Sequence, residues 1–267
     1  MKVSVFLTRP DGRNETLAVR ALAAGWRPLA LPALTIRPLL QQGDRVPEPG
    51  DYDLVVFVSR NAARLYLDLL ADQSPGQAWP GRTLAATVGR SSAQPLYDSA
   101  CIDHRHILHP DPDTQNQDSE ALWHCLGPRL PALGKVLIVR GESGREWLGE
   151  QCERAGAAVD RLALYRREPA SWSASQSAEV SKALALPESC VFLLTSSDSV
   201  DAIHANISRL GLRAAWGRSR FVAIHERVAR RLQSVLCDSG NVEPPMVKVC
   251  SPNDDAIFLA IGQMASR

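Results

Sequence analysis

The chain has 267 residues, with 30 Lys or Arg against 29 Asp or Glu, so its formal net charge is +1. This balance does not favour a general attraction to nucleic acid or to a membrane surface. The apolar runs are too short to cross a bilayer, and an N-terminus without a secretion signal, together with six scattered cysteines, predicts a cytoplasmic protein with reduced thiols.

Short apolar segments alternate with helical patterns along the chain. Buried strands are predicted at 2–8, 53–59, 83–89, 135–141, 190–196 and 220–225. Between them apolar residues recur at helical spacing, as in Leu65, Tyr66, Leu69 and Leu70. Fully apolar strands separated by helices predict an α/β fold with parallel sheets covered on both faces. The Pro- and Gly-rich or polar segments 41–53 and 109–120 predict loops.

The chain contains an internal repeat. A shift of 131 residues superimposes Arg9 on Arg140 and Glu15 on Glu146. A second unit follows each copy, and there VVFVSRNAA aligns with FLLTSSDSV, so that Ser59 meets Ser196. The order is therefore A–B–A′–B′. Unit A is too small to bury a sheet alone, so it must join a B unit. The pattern itself permits either consecutive pairing or nested pairing, in which 34–40 and 162–168 form an antiparallel connector.

Several strings in the chain carry a family resemblance. LTRP near the start, VVFVSRNAA, TVGRSSA, DSEAL, VLIVRGESGREWL, GAAVDRLALYRR and LLTSSDSV together resemble the uroporphyrinogen-III synthase family over nearly the whole chain. The resemblance implies two flavodoxin-like (Rossmann-like) parallel-sheet domains, one inserted in the other and joined by a two-stranded β connector. The predicted first domain is 1–37 plus 168–267, the inserted domain is 42–163, and the connector strands are 34–41 and 163–169.

The resemblance also implies an activity. Members of the family are lyases that take water from hydroxymethylbilane and close it to uroporphyrinogen III, with the terminal pyrrole ring inverted, in tetrapyrrole (heme) biosynthesis. No cofactor is expected, and no nucleic-acid or membrane partner. Hydroxymethylbilane is the expected small-molecule partner, and a transient contact with hydroxymethylbilane synthase is left open. Two other classes compete with this interpretation: a two-domain binding or sensor module without catalysis, and a redox protein, which lacks its G-x-G-x-x-G loop here.

A substrate with acetate and propionate arms on every ring needs many anion sites. In open α/β sheets such sites lie beyond the carboxyl ends of the strands, where free backbone N–H groups of helix N-termini favour carboxylates. The predicted substrate contacts are Arg9, Ser59, Asn61, Gly89, Ser92, Ser119, Arg140, Gly141, Ser196 and Ser197. The alternative for the Ser and Asn residues is an ordinary helix cap.

Two positions need separate treatment. The bend from Gly89 to Ala93 has no equivalent at 225–229, which reads HERVA without glycine or hydroxyl, so Arg227 is the predicted anion contact there. In LALYRR, Tyr165 is the family's candidate for the acid that helps the substrate hydroxyl leave, because a phenol keeps its proton at neutral pH. The alternative is a strand tyrosine that packs the connector.

One further cluster suggests metal binding only weakly. Cys101, His104, His106 and His109 have spacings that a metal ion could use, and the second and third would share one strand face. An H-x-H pair without a defined fourth ligand is common, however, and a polar strand edge is the simpler interpretation. We therefore predict no metal site.

Overall fold

The structure is a computed structural model that describes residues 2–10, 12–111, 118–238 and 244–266. The chain divides into two compact units. Unit 1 comprises Met1–Ile36 and Arg167–Arg267, and unit 2 comprises Arg37–Arg166.

The first chain segment begins unit 1 and leads into unit 2. Its elements are β1 (Ser4–Leu7), α1 (Glu15–Ala23), β2 (Arg27–Ala30) and β3 (Leu34–Pro38). Every side chain of β1 is buried, as its apolar sequence SVFL predicts. Helix α1 ends before Gly25, whose φ of 78° lies in the left-handed region that favours glycine.

The middle segment forms most of unit 2. Its elements are β4 (Leu54–Phe57), α2 (Arg60–Gln73), β5 (Leu84–Thr87), α3 (Arg90–Asp98), β6 (Ile107–Leu108), α4 (Ser119–Leu126), β7 (Lys135–Gly141), α5 (Trp147–Arg154) and β8 (Ala158–Pro169). The apolar residues of α2 repeat at helical spacing and are buried, including Tyr66 and Leu69, so this helix packs one face onto the sheet.

The last segment completes unit 1. Its elements are α6 (Ala174–Ala183), β9 (Cys190–Leu194), α7 (Ser197–Arg209), α8 (Arg213–Gly217), β10 (Arg220–Ala223), α9 (Glu226–Asp238), β11 (Met246–Val249) and α10 (Asp254–Ala265). Both faces of its sheet are covered. Phe6 and Phe192 stack on one face with ring centroids 4.1 Å apart, and Val5, Val191 and Ile257 belong to the core on the other.

The two sheets share one strand order. Unit 1 has the parallel order β11-β10-β9-β1-β2. In unit 2 the parallel strands are ordered β8-β7-β4-β5-β6, with β3 added beside β8. The A copies of the repeat supply β1 and β2 in unit 1, and β7 and β8 in unit 2. If the strands of each unit are renumbered from 1 to 5 with those of the A copy first, both sheets have the order 2-1-3-4-5. Unit 2 is therefore a circular permutation of unit 1.

Strands β3 and β8 are antiparallel. Leu39 N donates to Leu164 O at 2.8 Å, and Ala170 N donates to Ala33 O at 2.9 Å, so partner numbers run in opposite directions. The α/β fold class predicted from the sequence, with two parallel sheets and a two-stranded connector, is confirmed.

Some local predictions need correction or fall outside the described residues. His104–His106 form a turn of 3-10 helix, and only Ile107–Leu108 is strand, so the two imidazoles do not share a strand face. The predicted loop 109–120 lies partly outside the described residues, and α4 starts within it at Ser119. None of the helices in the described part of the chain combines the length and apolar character that crossing a membrane requires.

Candidate active site

In each sheet the connections from strand to strand lead outward in two opposite directions from one point, which we call the reversal. The reversal lies between β1 and β9 in unit 1, and between β7 and β4 in unit 2. Ligands of open parallel sheets bind at the carboxyl ends of the strands that flank such a reversal. The predicted site residues at these strand ends are Arg9 and Ser196 in unit 1, and Ser59, Arg140 and Gly141 in unit 2.

A β-bulge brings Tyr165 to the reversal of unit 2. Arg140 pairs with Ala163 and Gly141 with Tyr165, so Leu164 is an extra residue on β8. The bulge changes which side of the sheet the following residues face, and Leu164 and Tyr165 are both buried. The Tyr165 carbonyl accepts a hydrogen bond from Glu142 N at 2.7 Å, which closes the ladder after the bulge.

The tyrosine ring lies against the last residue of β7. A Cβ at Gly141 would be 2.9 Å from two ring carbons of Tyr165, a distance that real Cβ atoms essentially never show. The ring occupies the space that any side chain at Gly141 would need. Tyr165 is only 2% exposed, so its ring is fixed by packing.

Ser59 and Tyr165, two predicted site residues 106 positions apart, are in contact. Ser59 caps α2, because its Oγ accepts a hydrogen bond from Ala62 N at 3.1 Å. The same Oγ lies 2.9 Å from the phenolic oxygen of Tyr165, with either atom able to donate. Asn61 lies in the first turn of the same helix. The structure thus joins the expected acid to the start of a helix at the carboxyl end of β4.

Arg140 is buried and already has a carboxylate partner. Its Nη1 forms an ion pair with Glu146, and its Nε donates to the carbonyl of Gly141 at 3.1 Å. Glu146 also accepts from Arg161 Nε at 3.1 Å. These hydrogen bonds, led by that from Arg140, hold the pKa of the Glu146 carboxyl below its ordinary value. Arg140 therefore holds the bend after β7 together, and its contact with substrate stays a prediction.

Helix α4 is tied to the same bend. Asp118 Oδ1 accepts from Ala121 N at 2.9 Å and caps the helix, so Ser119 is its first residue. Arg145 Nη1 donates to Glu120 at 3.2 Å, which lowers the pKa of that carboxyl. Because Arg145 follows β7, Ser119 belongs to a helix start that is anchored to the carboxyl end of this strand.

Helix α3 begins without a side-chain cap. Gly89 stands at the N-cap position and supplies no side-chain oxygen, while its carbonyl accepts from Thr87 Oγ1 at 3.0 Å and from Ser92 N at 3.0 Å. Ser92 is half-buried in the first turn. Amides at such a helix start favour an anion.

Ser196 repeats the geometry of Ser59 in unit 1. The backbone angles of the two serines are within about 5° of each other, at −160° and 165° for Ser196 against −162° and 160° for Ser59. Ser196 Oγ accepts from Ser199 N at 3.0 Å, and Ser199 Oγ accepts from Ser196 N at 3.0 Å, a reciprocal cap. Ser197 is the first residue of α7.

Arg9 is paired like its repeat partner. Its Nη1 lies 2.7 Å from Asp254 Oδ1, at the first residue of α10, and 3.3 Å from the carbonyl of Arg13. Arg9 is 8% exposed. As with Arg140, this arginine ties secondary-structure elements together, and its contact with substrate stays a prediction.

A histidine cap replaces the glycine bend in unit 1. His225 Nδ1 accepts a hydrogen bond from Arg227 N at 3.0 Å, just where α9 begins. The imidazole therefore accepts a hydrogen bond from one of the backbone N–H groups at this helix start, while the Arg227 side chain is exposed. The sequence showed the loss of glycine and hydroxyl but not this cap, since histidine is not a preferred capping residue.

Other functional contacts had weak sequence signals or none. Glu146, the partner of Arg140, was visible only as the repeat partner of Glu15. Asp254, the partner of Arg9, lies 245 residues away from it and had no signal. Within the described ranges, no cluster of three or more His, Cys, Asp or Glu residues is arranged to hold a metal ion.

The fold and the residues at the strand ends indicate a class of protein. Two doubly wound α/β units, with hydroxyl groups and helix starts at the reversal of each sheet, are typical of proteins that bind anionic ligands at strand ends. A family model described as "Uroporphyrinogen-III synthase HemD" matches residues 15–237, which is most of the chain. The chain belongs to the uroporphyrinogen-III synthase family.

Individual relatives agree with this assignment. The chain is 30% identical over 168 residues to a protein of Salmonella typhimurium and 27% identical over 168 residues to one of Escherichia coli K12, both named uroporphyrinogen-III synthase. Each match covers 62% of this chain and 65% of the relative, so it spans less than two thirds of those proteins. The crystal structure of uroporphyrinogen-III synthetase from Helicobacter pylori covers 98% of this chain and all of that one, with a TM-score of 0.56 and 14% identity, which shows a shared fold.

Proposed function

We propose that this protein is a uroporphyrinogen-III synthase, a lyase of tetrapyrrole (heme) biosynthesis. It converts hydroxymethylbilane into uroporphyrinogen III and water, with inversion of the terminal pyrrole ring. The observation that carries the proposal is the family match over residues 15–237, which spans β4 to β10 and the predicted site residues from Ser59 to Arg227.

The strand ends suit the carboxylate arms of this substrate. Helix starts present backbone N–H groups at the carboxyl ends of β4, β5 and β9, where Ser59, Gly89 and Ser196 begin α2, α3 and α7. Carboxylates are favoured at such ends by the helix dipole and by the unpaired amides. We propose the backbone amides at these helix starts as substrate contacts, together with the Ser196 hydroxyl and the exposed guanidinium of Arg227.

The chemistry then requires positioning and one acid. The pyrrole nitrogen drives out the terminal hydroxyl, which takes up a proton and leaves as water, and an electrophilic azafulvene remains. The substituted carbon of the last ring attacks it, the resulting spiro intermediate fragments, and the ring recloses inverted with loss of a proton. Holding the bilane in this geometry is the main contribution of the protein. Tyr165 is the proposed donor of the proton to the leaving hydroxyl.

The proposal includes the domain organisation, the cellular location and a protein partner. The two compact units act as domains, the second folding as an insertion in the first. The enzyme works in the cytoplasm. A transient contact with hydroxymethylbilane synthase would shorten the exposure of the unstable substrate to water. No observation favours the alternative of a binding or sensor module without catalysis.

Isomer analysis tests the function. The protein is incubated with freshly made hydroxymethylbilane, the product is oxidised, and the isomers are separated. Isomer III in excess over the spontaneous isomer I is expected, and a product of isomer I alone would overturn the proposal.

The Tyr165→Phe variant tests the acid. It keeps the ring and removes the hydroxyl, and the loss of a general acid lowers kcat by about 10²- to 10⁴-fold. Tyr97→Phe is the matched control, because it also removes a hydrogen-bonded phenol hydroxyl, one that lies 2.9 Å from His109 Nε2. Equal activity of Tyr165→Phe and wild type would show that Tyr165 only packs the strand.

A further inference from the structure

We infer that Ser59 is a positioning residue for Tyr165, in addition to capping α2, and this rests on the proposed function. The oxygen atoms of the two hydroxyl groups lie 2.9 Å apart and form a hydrogen bond. The sequence suggested a different role for Ser59, an independent contact with a substrate carboxylate. The two roles give different kinetics.

The hydrogen-bonding capacity of the Ser59 hydroxyl limits which bonds it can form with Tyr165. A serine hydroxyl has one proton and two lone pairs, and one lone pair is taken by Ala62 N–H. If Ser59 donates to the phenolic oxygen, the proton of Tyr165 is directed to another acceptor. In that arrangement Ser59 also stabilises the negative charge that develops on the phenolic oxygen as its proton leaves, and the start of α2 reinforces this effect.

Ser59 helps to fix the end of the tyrosine side chain. The Tyr165 ring is 2% exposed and lies against Gly141, so its plane is set by β7 and the bulge. The hydroxyl oxygen is fixed by a hydrogen bond, and Ser59 supplies one from a rigid helix start. A proton donor must be held within hydrogen-bond reach of the leaving group. The bond to Ser59 supports this role because it restrains the position of the Tyr165 hydroxyl.

The internal repeat separates capping from positioning. Ser196 caps α7 with the same backbone geometry as Ser59 caps α2. At the repeat positions of Gly141 and Tyr165, however, unit 1 has Pro10 and Leu34, which carries no hydroxyl. A serine at this helix start therefore caps without a tyrosine, and the Ser–Tyr bond is an addition made in one copy of the repeat.

Steady-state kinetics with the full-length protein test the inference. Ser59→Ala is expected to lower kcat about 3- to 10-fold, the equivalent of one neutral hydrogen bond, with KM changed less than about 2-fold. In the Tyr165→Phe background the same substitution is expected to have no further effect on kcat, because its partner hydroxyl is already gone. Ser59→Thr, which keeps a hydroxyl that can cap, is expected to restore kcat to within about 2-fold of wild type.

Two caps serve as controls. Ser173→Ala removes the equivalent cap of α6 and shows what cap loss alone does to stability, measured as Tm. Ser196→Ala is expected to combine multiplicatively with Tyr165→Phe. If Ser59→Ala raises KM at unchanged kcat, or multiplies with Tyr165→Phe, then Ser59 is an independent contact and the inference is wrong. If wild type forms no excess of isomer III, the proposed function itself fails, which is a distinct result.

Discussion

The substitution Gly141→Ala tests the packing on which the site depends. The added methyl group would lie 2.9 Å from two ring carbons of Tyr165 and 3.3 Å from its carbonyl oxygen. The ring is buried and fixed by the bulge, so it cannot move away without disturbing β7 or β8. Overpacking of this kind costs about 1–3 kcal/mol. Replacement of glycine by alanine recovers about 0.4–1 kcal/mol through the unfolded chain, which leaves a net loss of up to about 2.6 kcal/mol and a difference of about 1–3 kcal/mol from a Gly→Ala change without the clash.

Gly81→Ala is the matched control for this loss. A Cβ at Gly81 meets nothing within 4 Å, so this variant has the same backbone entropy term without the clash. The difference between the two variants in free energy of unfolding, measured by urea denaturation, isolates the contact with the ring. Hydrogen exchange should place the increased opening in the peptides that contain β7 and β8.

The Tyr165→Leu background completes the test. Leucine is the residue at the repeat position in unit 1, and it removes the ring that the methyl group would meet. In this background Gly141→Ala should cost less than about 0.5 kcal/mol. The reasoning is refuted if Gly141→Ala is as stable as Gly81→Ala, or if it costs as much without the ring as with it.

Three further predictions concern pH, thiols and folding units. Glu146→Gln should make stability less dependent on pH in the acid range. The pKa of Glu146 is lowered in the folded protein, so its carboxylate contributes stability at pH values above the unfolded-state pKa, and this contribution is lost as pH falls through the folded-state pKa. Acid titration followed by circular dichroism measures the difference between the variant and wild type. Burial raises the pKa of the Cys190 thiol to about 12. A thiol reagent at pH 8 should therefore modify the exposed Cys237 and leave Cys190 unmodified until the protein is unfolded. Peptide mass analysis identifies the modified cysteine. The segment 37–166 expressed alone should unfold cooperatively in urea, because it contains β4 to β7, most of β8 and the core that packs on them. A non-cooperative transition would count against its being a domain.

The sequence by itself determined the class of fold and indicated several helix starts. The strands β1, β4 and β9 are apolar except for Ser4 and fully buried, a signal that needs no knowledge of the rest of the chain. Caps act over three residues, so a helix cap could be weighed from the sequence as the alternative to a substrate contact at Ser59 and Ser196, and both serines do cap helices. The repeat and the family strings extended these local signals to the arrangement of the whole chain.

The tertiary structure decided which of these residues meet. The bond between Ser59 and Tyr165 depends on a one-residue bulge in β8, and a strand sequence does not state its register. The edge strands β6 and β11 contain no buried residue, so their pairing rests on the neighbouring strand rather than on a pattern of their own. Arg9 and Arg140 were recognisable as repeated charges, yet their carboxylate partners lie 245 and six residues away, and only the folded chain brings a charge within reach of its partner. Local signals act over one turn or one strand, whereas contacts of this kind exist only once the whole sheet has formed.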